Sequence, residues 1–121
     1  DRGIEQSILL GKIFQHNNIS FDKVYSSQWC RCIYTAQYAF GEYQELNLLN
    51  STFSHNYQKN HFRQMKELKK LIFNLKEDHG NIIFITHYVI IGGILDYYPN
   101  SGEIVIADKS LKVLGSIKTS Y

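Results

Sequence analysis

Two short stretches of this sequence place polar, chargeable side chains where an α/β sheet binds its ligands. The first is Val24-Tyr25-Ser26-Ser27-Gln28-Trp29-Cys30-Arg31 and the second is Ile83-Phe84-Ile85-Thr86-His87-Tyr88. Each is an apolar run that meets hydroxyl residues and then enters a helical pattern. In open α/β sheets ligands lie beyond the carboxyl ends of parallel strands. The first turn of the following helix also offers backbone N–H donors that no intrahelical carbonyl uses. Both stretches therefore read as anion sites. Arg31 falls in the first turn of its helix, where a positive charge opposes the helix dipole. Either a bound anion compensates it, or the side chain extends past the helix end into solvent. A guanidinium fork matches a phosphate better than an ammonium does. His87 follows the clearest strand pattern in the chain, and is either a hydrogen-bonded core histidine or a catalytic one beside a crevice. His16, His55, His61 and His79 sit at helix ends or in polar stretches without convergent partners in sequence, and read as surface residues.

The elements that position these groups follow from periodicity. Ile4, Ile8, Leu9, Ile13 and Phe14 recur at helical spacing over residues 4–14, and Asn17-Asn18 supplies a stop. After the turn-like Ser20-Phe21-Asp22, Val24-Tyr25 is a short buried strand leading through Ser26-Ser27 into a helix over residues 28–40. Gly41 is placed for the left-handed conformation that closes helices. Residues 42–58 are weakly periodic, with Tyr43, Leu46, Leu48 and Leu49 as anchors, and predict a short strand followed by an excursion loop. A helix over residues 58–77 ends at Asp78-His79-Gly80. Ile82-Ile83-Phe84-Ile85 is the continuous apolar run of a central parallel strand. A short helix then reaches Leu95, a turn cluster covers residues 97–102, and two strands, 103–107 and 111–117, form a hairpin through Asp108-Lys109. The alternation predicts one α/β domain over residues 1–121: a mostly parallel sheet, helices on both faces, and an antiparallel hairpin at the C-terminal edge.

Composition narrows the function classes. A chain of 121 residues, 44% hydrophobic, suffices for one core. No apolar run reaches the roughly 18 residues of a membrane helix; residues 81–95 are the most apolar and are broken by Thr86, His87, Gly92 and Gly93. The net charge of +2 is small. The basic residues of 59–76 alternate with Leu68, Leu71, Ile72 and Leu75 at three- and four-residue steps, the pattern of a solvated amphipathic helix rather than a nucleic-acid stripe. Cys30 and Cys32 point roughly 200° apart on a helix, so they do not pair. No CxxC or zinc-spaced Cys/His cluster occurs. Neither metal, cofactor, nucleic acid nor membrane is expected as a partner; compartment and oligomeric state stay open. The chain opens on Asp1-Arg2-Gly3 without a methionine and runs straight into a helix, as a truncated domain would.

On these residues the sequence resembles the histidine phosphatases, the phosphoglycerate-mutase-like superfamily. Asp1-Arg2-Gly3-x-Glu5-Gln6 is similar to the helix after that family's first loop. Ser26-Ser27-x-x-x-Arg31-x-x-x-Thr35-Ala36 is similar to its second signature and Thr86-His87 to its third. Tyr98-Pro99-x-Ser101-Gly102-Glu103 and its hairpin are similar to the end of one bacterial branch, so the resemblance runs over nearly the whole chain.

The resemblance implies a metal-independent phosphatase. It would hydrolyse a phosphomonoester or phosphoramidate through a phosphohistidine intermediate, acting on a phosphorylated small molecule or a phosphohistidine protein. It makes Arg31 a phosphate clamp, His87 the second pocket histidine, and Ser27 and Tyr88 lining residues. The proton donor falls to Glu103 or Glu45, since residues 46–56 hold no carboxylate. A phosphoramidate leaves with less acid help than an alkyl phosphate, which favours a phosphoramidate or an activated ester. Tyr88 replaces a frequent glycine and Ile90 a polar residue of the bacterial branch, departures that bear on substrate. In the family the nucleophile lies in an Arg-His-Gly at the end of the first strand, and no Arg-His-Gly occurs here. The chain is therefore expected to lack that strand, to be inactive as given, and to expose unpaired sheet edges that lower its stability. The alternative is a non-catalytic phosphate- or partner-binding module.

Overall fold

A computed structural model of the chain describes residues 2–52, 58–75 and 80–119. His55 and the Asp78-His79 end of the long predicted helix lie outside the described residues. In chain order the elements are α1 (Arg2–His16), β1 (Phe21–Ser26), α2 (Cys30–Phe40), β2 (Gln44–Glu45), a 3-10 turn (Asn47–Leu49), a second 3-10 turn (Gln58–Asn60), α3 (His61–Phe73), β3 (Asn81–Ile85), α4 (Tyr88–Leu95), β4 (Glu103–Ala107) and β5 (Val113–Lys118). Strands β2, β1 and β3 form a parallel sheet in that order, and β4 and β5 form a separate antiparallel pair.

The β1–β3 register explains how the sheet is covered. Tyr25 pairs with Phe84, and their rings stack at 5.5 Å on one face. That face meets α3 and α4 across a core of Leu49, Met65, Leu68 and Ile90. Side chains alternate across a strand, so Val24, only 3% exposed, turns to the other face, where α2 packs with Cys32 and Ala36 buried. α1 lies against α2, and Phe14, Phe40 and Phe21 meet edge to face where α1, α2 and β1 converge. The helices approach so closely at Gly11 that an added Cβ would stand 2.3 Å from the Ala39 carbonyl oxygen. The α/β class and the two-sided helical cover agree with the sequence pattern.

Four details differ from it. β1 starts at Phe21 rather than Val24; the exposed Asp22 and Lys23 hid the strand, which reaches β3 through a register shift. α2 starts at Cys30, which leaves Ser27 and Gln28 in the connecting loop. The excursion is pinned down: Leu49 is 1% exposed, Gln64 Nε2 donates to the carbonyls of Leu48 (2.8 Å) and Asn50 (2.7 Å), and Thr86 Oγ1 donates to Leu49 O. The β4–β5 loop spans residues 108–112, because Asp108 Oδ1 accepts the N–H groups of Ser110 and Lys112, and Leu111 is left-handed at φ 70°. Among the described residues that hairpin is not hydrogen-bonded into the parallel sheet; it is held to α1 through Gln6 Nε2, which donates to Thr119 O.

β3 ends the parallel sheet, so among the described residues only one of its edges is paired. Its residues Ile82, Ile83, Phe84 and Ile85 are only half-buried. A run this apolar belongs to a strand covered on all sides.

Candidate functional site

The parallel register brings the carboxyl ends of β1 and β3 level, with Ser26 opposite Ile85, and the Ser27 N–H extends the ladder to Ile85 O at 2.9 Å. The chain then enters α2 after Trp29 and α4 after His87. Both cap residues have extended backbones, neither caps with its side chain, and neither helix carries an acid in its first turn. Two positive helix ends therefore lie at the same end of the parallel sheet without a carboxylate from their own first turns.

His87 is buried, 6% exposed, and both ring nitrogens are engaged. Arg31 Nη2 lies 3.4 Å from Nδ1, and a guanidinium can only donate. Nδ1 is therefore the acceptor and the ring proton sits on Nε2, which donates to Ser27 Oγ at 2.9 Å. The Ser27 hydroxyl in turn donates to Asn50 Oδ1 (3.1 Å) and accepts the Trp29 N–H (3.2 Å). Asn50 Oδ1 also accepts the Gln28 N–H at 2.8 Å, and Asn50 Nδ2 donates to Gln28 Oε1 at 2.9 Å. Every donor in this chain of bonds has an acceptor, so the imidazole is fixed in one tautomer and one orientation.

Electrostatics keep that ring neutral. Burial first, and the Arg31 charge second, push the His87 pKa down to about 4. Cys32 Sγ lies 3.7 Å from His87 Nε2 and 3.8 Å from Thr86 O, and burial pushes this thiol up. The Trp29 ring meets the imidazole edge to face at 4.8 Å, and the Arg31 guanidinium sits 5.3 Å from the indole centroid. Arg31 itself is exposed.

Of the residues singled out in the sequence, Ser27, Arg31 and His87 come together. Tyr88 opens α4 with 52% of its surface exposed. Glu45 is exposed in β2 and pairs in register with Ser26. Glu103 opens β4, and its carboxylate accepts the Tyr97 hydroxyl and the Asn100 N–H, bonds that hold it below the usual carboxylate range, Tyr97 most of all. Its bonds run to the turn and hairpin, not to Ser27, Arg31 or His87. His61 is no lone surface residue: its Nδ1 is 2.5 Å from Thr52 Oγ1, and its ring lies close to Gly93. Sequence reasoning missed Asn50, which sits in the weakly periodic excursion and has no motif around it, and missed Trp29 and Cys32 as neighbours of the imidazole. For the latter two a signal existed, since both fall within or beside the Ser-x-x-x-Arg spacing. Among the described residues no cluster of His, Cys, Asp and Glu is arranged to hold a metal.

No family model and no curated protein matches this sequence. Solved structures do match. The protein histidine phosphatase SixA, solved in complex with tungstate, aligns with a TM-score of 0.75 at 13% identity, covering 98% of this chain and 82% of that one. TTHB049 from Thermus thermophilus aligns with a TM-score of 0.69 at 15% identity, covering 98% of this chain and 83% of that one. The likeness lies in the course of the backbone, and it gives this chain the α/β fold of the histidine phosphatase SixA.

Proposed function

We propose that this chain is the oxyanion-binding part of a histidine-phosphatase domain, and that the nucleophilic histidine is carried on a further strand seated along the open edge of β3. The complete domain hydrolyses a phosphomonoester or phosphoramidate through a phosphohistidine intermediate. The 121 residues alone bind the phosphoryl group without turning it over. The observation that carries this reading is the joining of Arg31, His87 and Ser27 between two helix N-termini at the ends of adjacent parallel strands.

The chemistry follows from that arrangement. A tetrahedral oxyanion accepts N–H groups from Arg31 and from the first turns of α2 and α4. Its negative charge favours protonation of His87, which then donates to a phosphoryl oxygen and stabilises the charge developing there. The incoming imidazole forms a bond to phosphorus while the P–O or P–N bond to the leaving group breaks. Water then attacks the phosphohistidine, releasing phosphate and restoring the imidazole. Tyr88, next to His87 and half exposed, walls the approach. The carboxylate of Glu103 is tied to Tyr97 and Asn100, which leaves the exposed Glu45 as the other candidate proton donor, and a phosphoramidate asks less of it than an alkyl phosphate would. Two further facts support the reading: β3 offers a half-covered apolar edge of the kind a parallel strand seats on, and SixA, of the same fold, was solved with the tetrahedral oxyanion tungstate.

Calorimetric titration with tungstate tests the pocket. Binding is expected in the 121-residue chain and is expected to weaken at least about tenfold in Arg31→Met and in His87→Ala, the loss of one charge-assisted bond. Hydrolysis of para-nitrophenyl phosphate and of phosphohistidine, without added metal, tests the enzyme. Turnover is expected only in a protein extended by its upstream sequence, and is lost on His87→Ala. An extended protein that folds, binds tungstate and turns over neither substrate would replace the enzyme with a phosphate-binding module.

A further inference from the structure

We infer that Trp29 is a positioning residue of this site: its indole holds the Arg31 guanidinium against His87 and so presets the clamp on an oxyanion. The inference rests on the phosphate-binding reading above and names the group that makes the clamp rigid.

Arg31 needs such a restraint. It is exposed at the start of α2, where the helix dipole repels it. Among the described residues the guanidinium meets His87 and Trp29. Its bond to the uncharged Nδ1 of His87 is long, at 3.4 Å, near the limit at which such a bond contributes. The other is the indole, whose centroid is 5.3 Å from the guanidinium carbon. Tryptophan is the strongest cation–π partner among the side chains.

The indole is itself held. Trp29 caps α2 with an extended backbone, and its N–H donates to the same Ser27 hydroxyl that receives His87 Nε2–H. Its ring then contacts the imidazole at 4.8 Å. One side chain thus touches both members of the clamp and takes its position from the hydroxyl that orients one of them. The guanidinium is ordered before the ligand arrives, so the cost of ordering it does not fall on binding.

A double-mutant cycle between Trp29→Leu and Arg31→Met tests this, with tungstate affinity and the titration of the His87 Cε1 proton by NMR as readouts. Leucine keeps apolar cover over the imidazole and removes the aromatic face. With Arg31 present, Trp29→Leu is expected to weaken tungstate about fivefold and to move the His87 midpoint upward from about 4, because the Arg31 charge is no longer held beside the ring. With Arg31→Met, the same substitution is expected to change neither readout. Trp29→Phe, which retains an aromatic face, is expected to keep most of both, and it serves if Trp29→Leu fails to fold. Equal shifts of His87 in both backgrounds would mean that Trp29 only covers the imidazole, and no shift in either would remove its role altogether; both outcomes overturn the inference. If the unmodified chain does not bind tungstate, the phosphate reading fails, while the His87 titrations still decide the part played by Trp29.

Discussion

His87 Nε2 stands 2.9 Å from Ser27 Oγ across a separation of 60 residues, and this bond joins the loop after β1 to the loop after β3. Ser27 is wholly buried. Its hydroxyl can donate to Asn50 only because the imidazole does the donating on the other side. The Nε2–H of His87 is therefore part of the fold as well as of the site, and the neutral state of the ring is what lets Nδ1 accept from Arg31.

That neutrality predicts a pH dependence of stability. An unfolded imidazole takes up its proton near 6.5, and the folded one near 4. Between these values the unfolded chain holds more protons, so stability falls as the pH drops through the window, and below about 4 this group adds no further loss. Above 6.5 its contribution is constant. Urea unfolding of the chain and of His87→Gln at several pH values checks this. The folding constant of the unmodified chain, relative to the variant, is expected to fall by up to about tenfold per pH unit within the window.

Asn50→Ala should destabilise the site from below. It removes the acceptor of the Ser27 hydroxyl and the Gln28 N–H together. Leaving a buried donor unmet costs about 1–3 kcal/mol, and denaturant unfolding should show a loss of that size. Asn50→Asp keeps both acceptor bonds and is expected to retain most of the stability.

Gly11→Ala separates helix propensity from packing. Alanine favours an isolated helix by about 1 kcal/mol over glycine. Here its methyl would stand 2.3 Å from the backbone oxygen of Ala39, which cannot rotate aside. The two helices must part, at an overpacking cost of about 1–3 kcal/mol. The melting temperature is expected to fall, and a rise would show that α1 and α2 slide apart freely.

The two free cysteines should differ in reactivity. Cys30 is exposed, whereas Cys32 is buried beside His87 with its thiol pushed up by burial. Mass spectrometry after brief treatment with iodoacetamide should find a single adduct per folded chain, on Cys30. Modification of Cys32 should require denaturant.

Much of this was legible in the sequence because the signals were local. Gly41 reads as a helix closer, and it adopts φ 80° at the end of α2 with its N–H bonded to the carbonyls of Ala36 and Gln37. The apolar run of β3 and the Ser-x-x-x-Arg and Thr-His spacings placed Ser27 and His87 just past strand ends and Arg31 in the first turn of the following helix, where the structure has them. Long-range polar bonds were hidden. Asn50 is one asparagine among several in residues 47–56, and only folding around Leu49 brings it under Ser27. The start of β1 was hidden for the opposite reason: Asp22 and Lys23 face solvent and break the apolar pattern although their backbones lie in the strand. The hairpin loop was read as two residues because nothing in the sequence marks Leu111 for a left-handed turn.

Arg31 and His87 are 56 residues apart, and they meet only once β1 and β3 have paired. Closing so long a loop is entropically slow, and non-local parallel pairs form late. The pairing of Arg31 with His87 thus comes into being near the end of folding. An oxyanion that fits the pair has nothing to bind on the unfolded chain and acts on the folded one by mass action. Such a ligand should slow unfolding far more than it speeds refolding, so that the same small anion that probes the chemistry also acts as a brake on losing the structure.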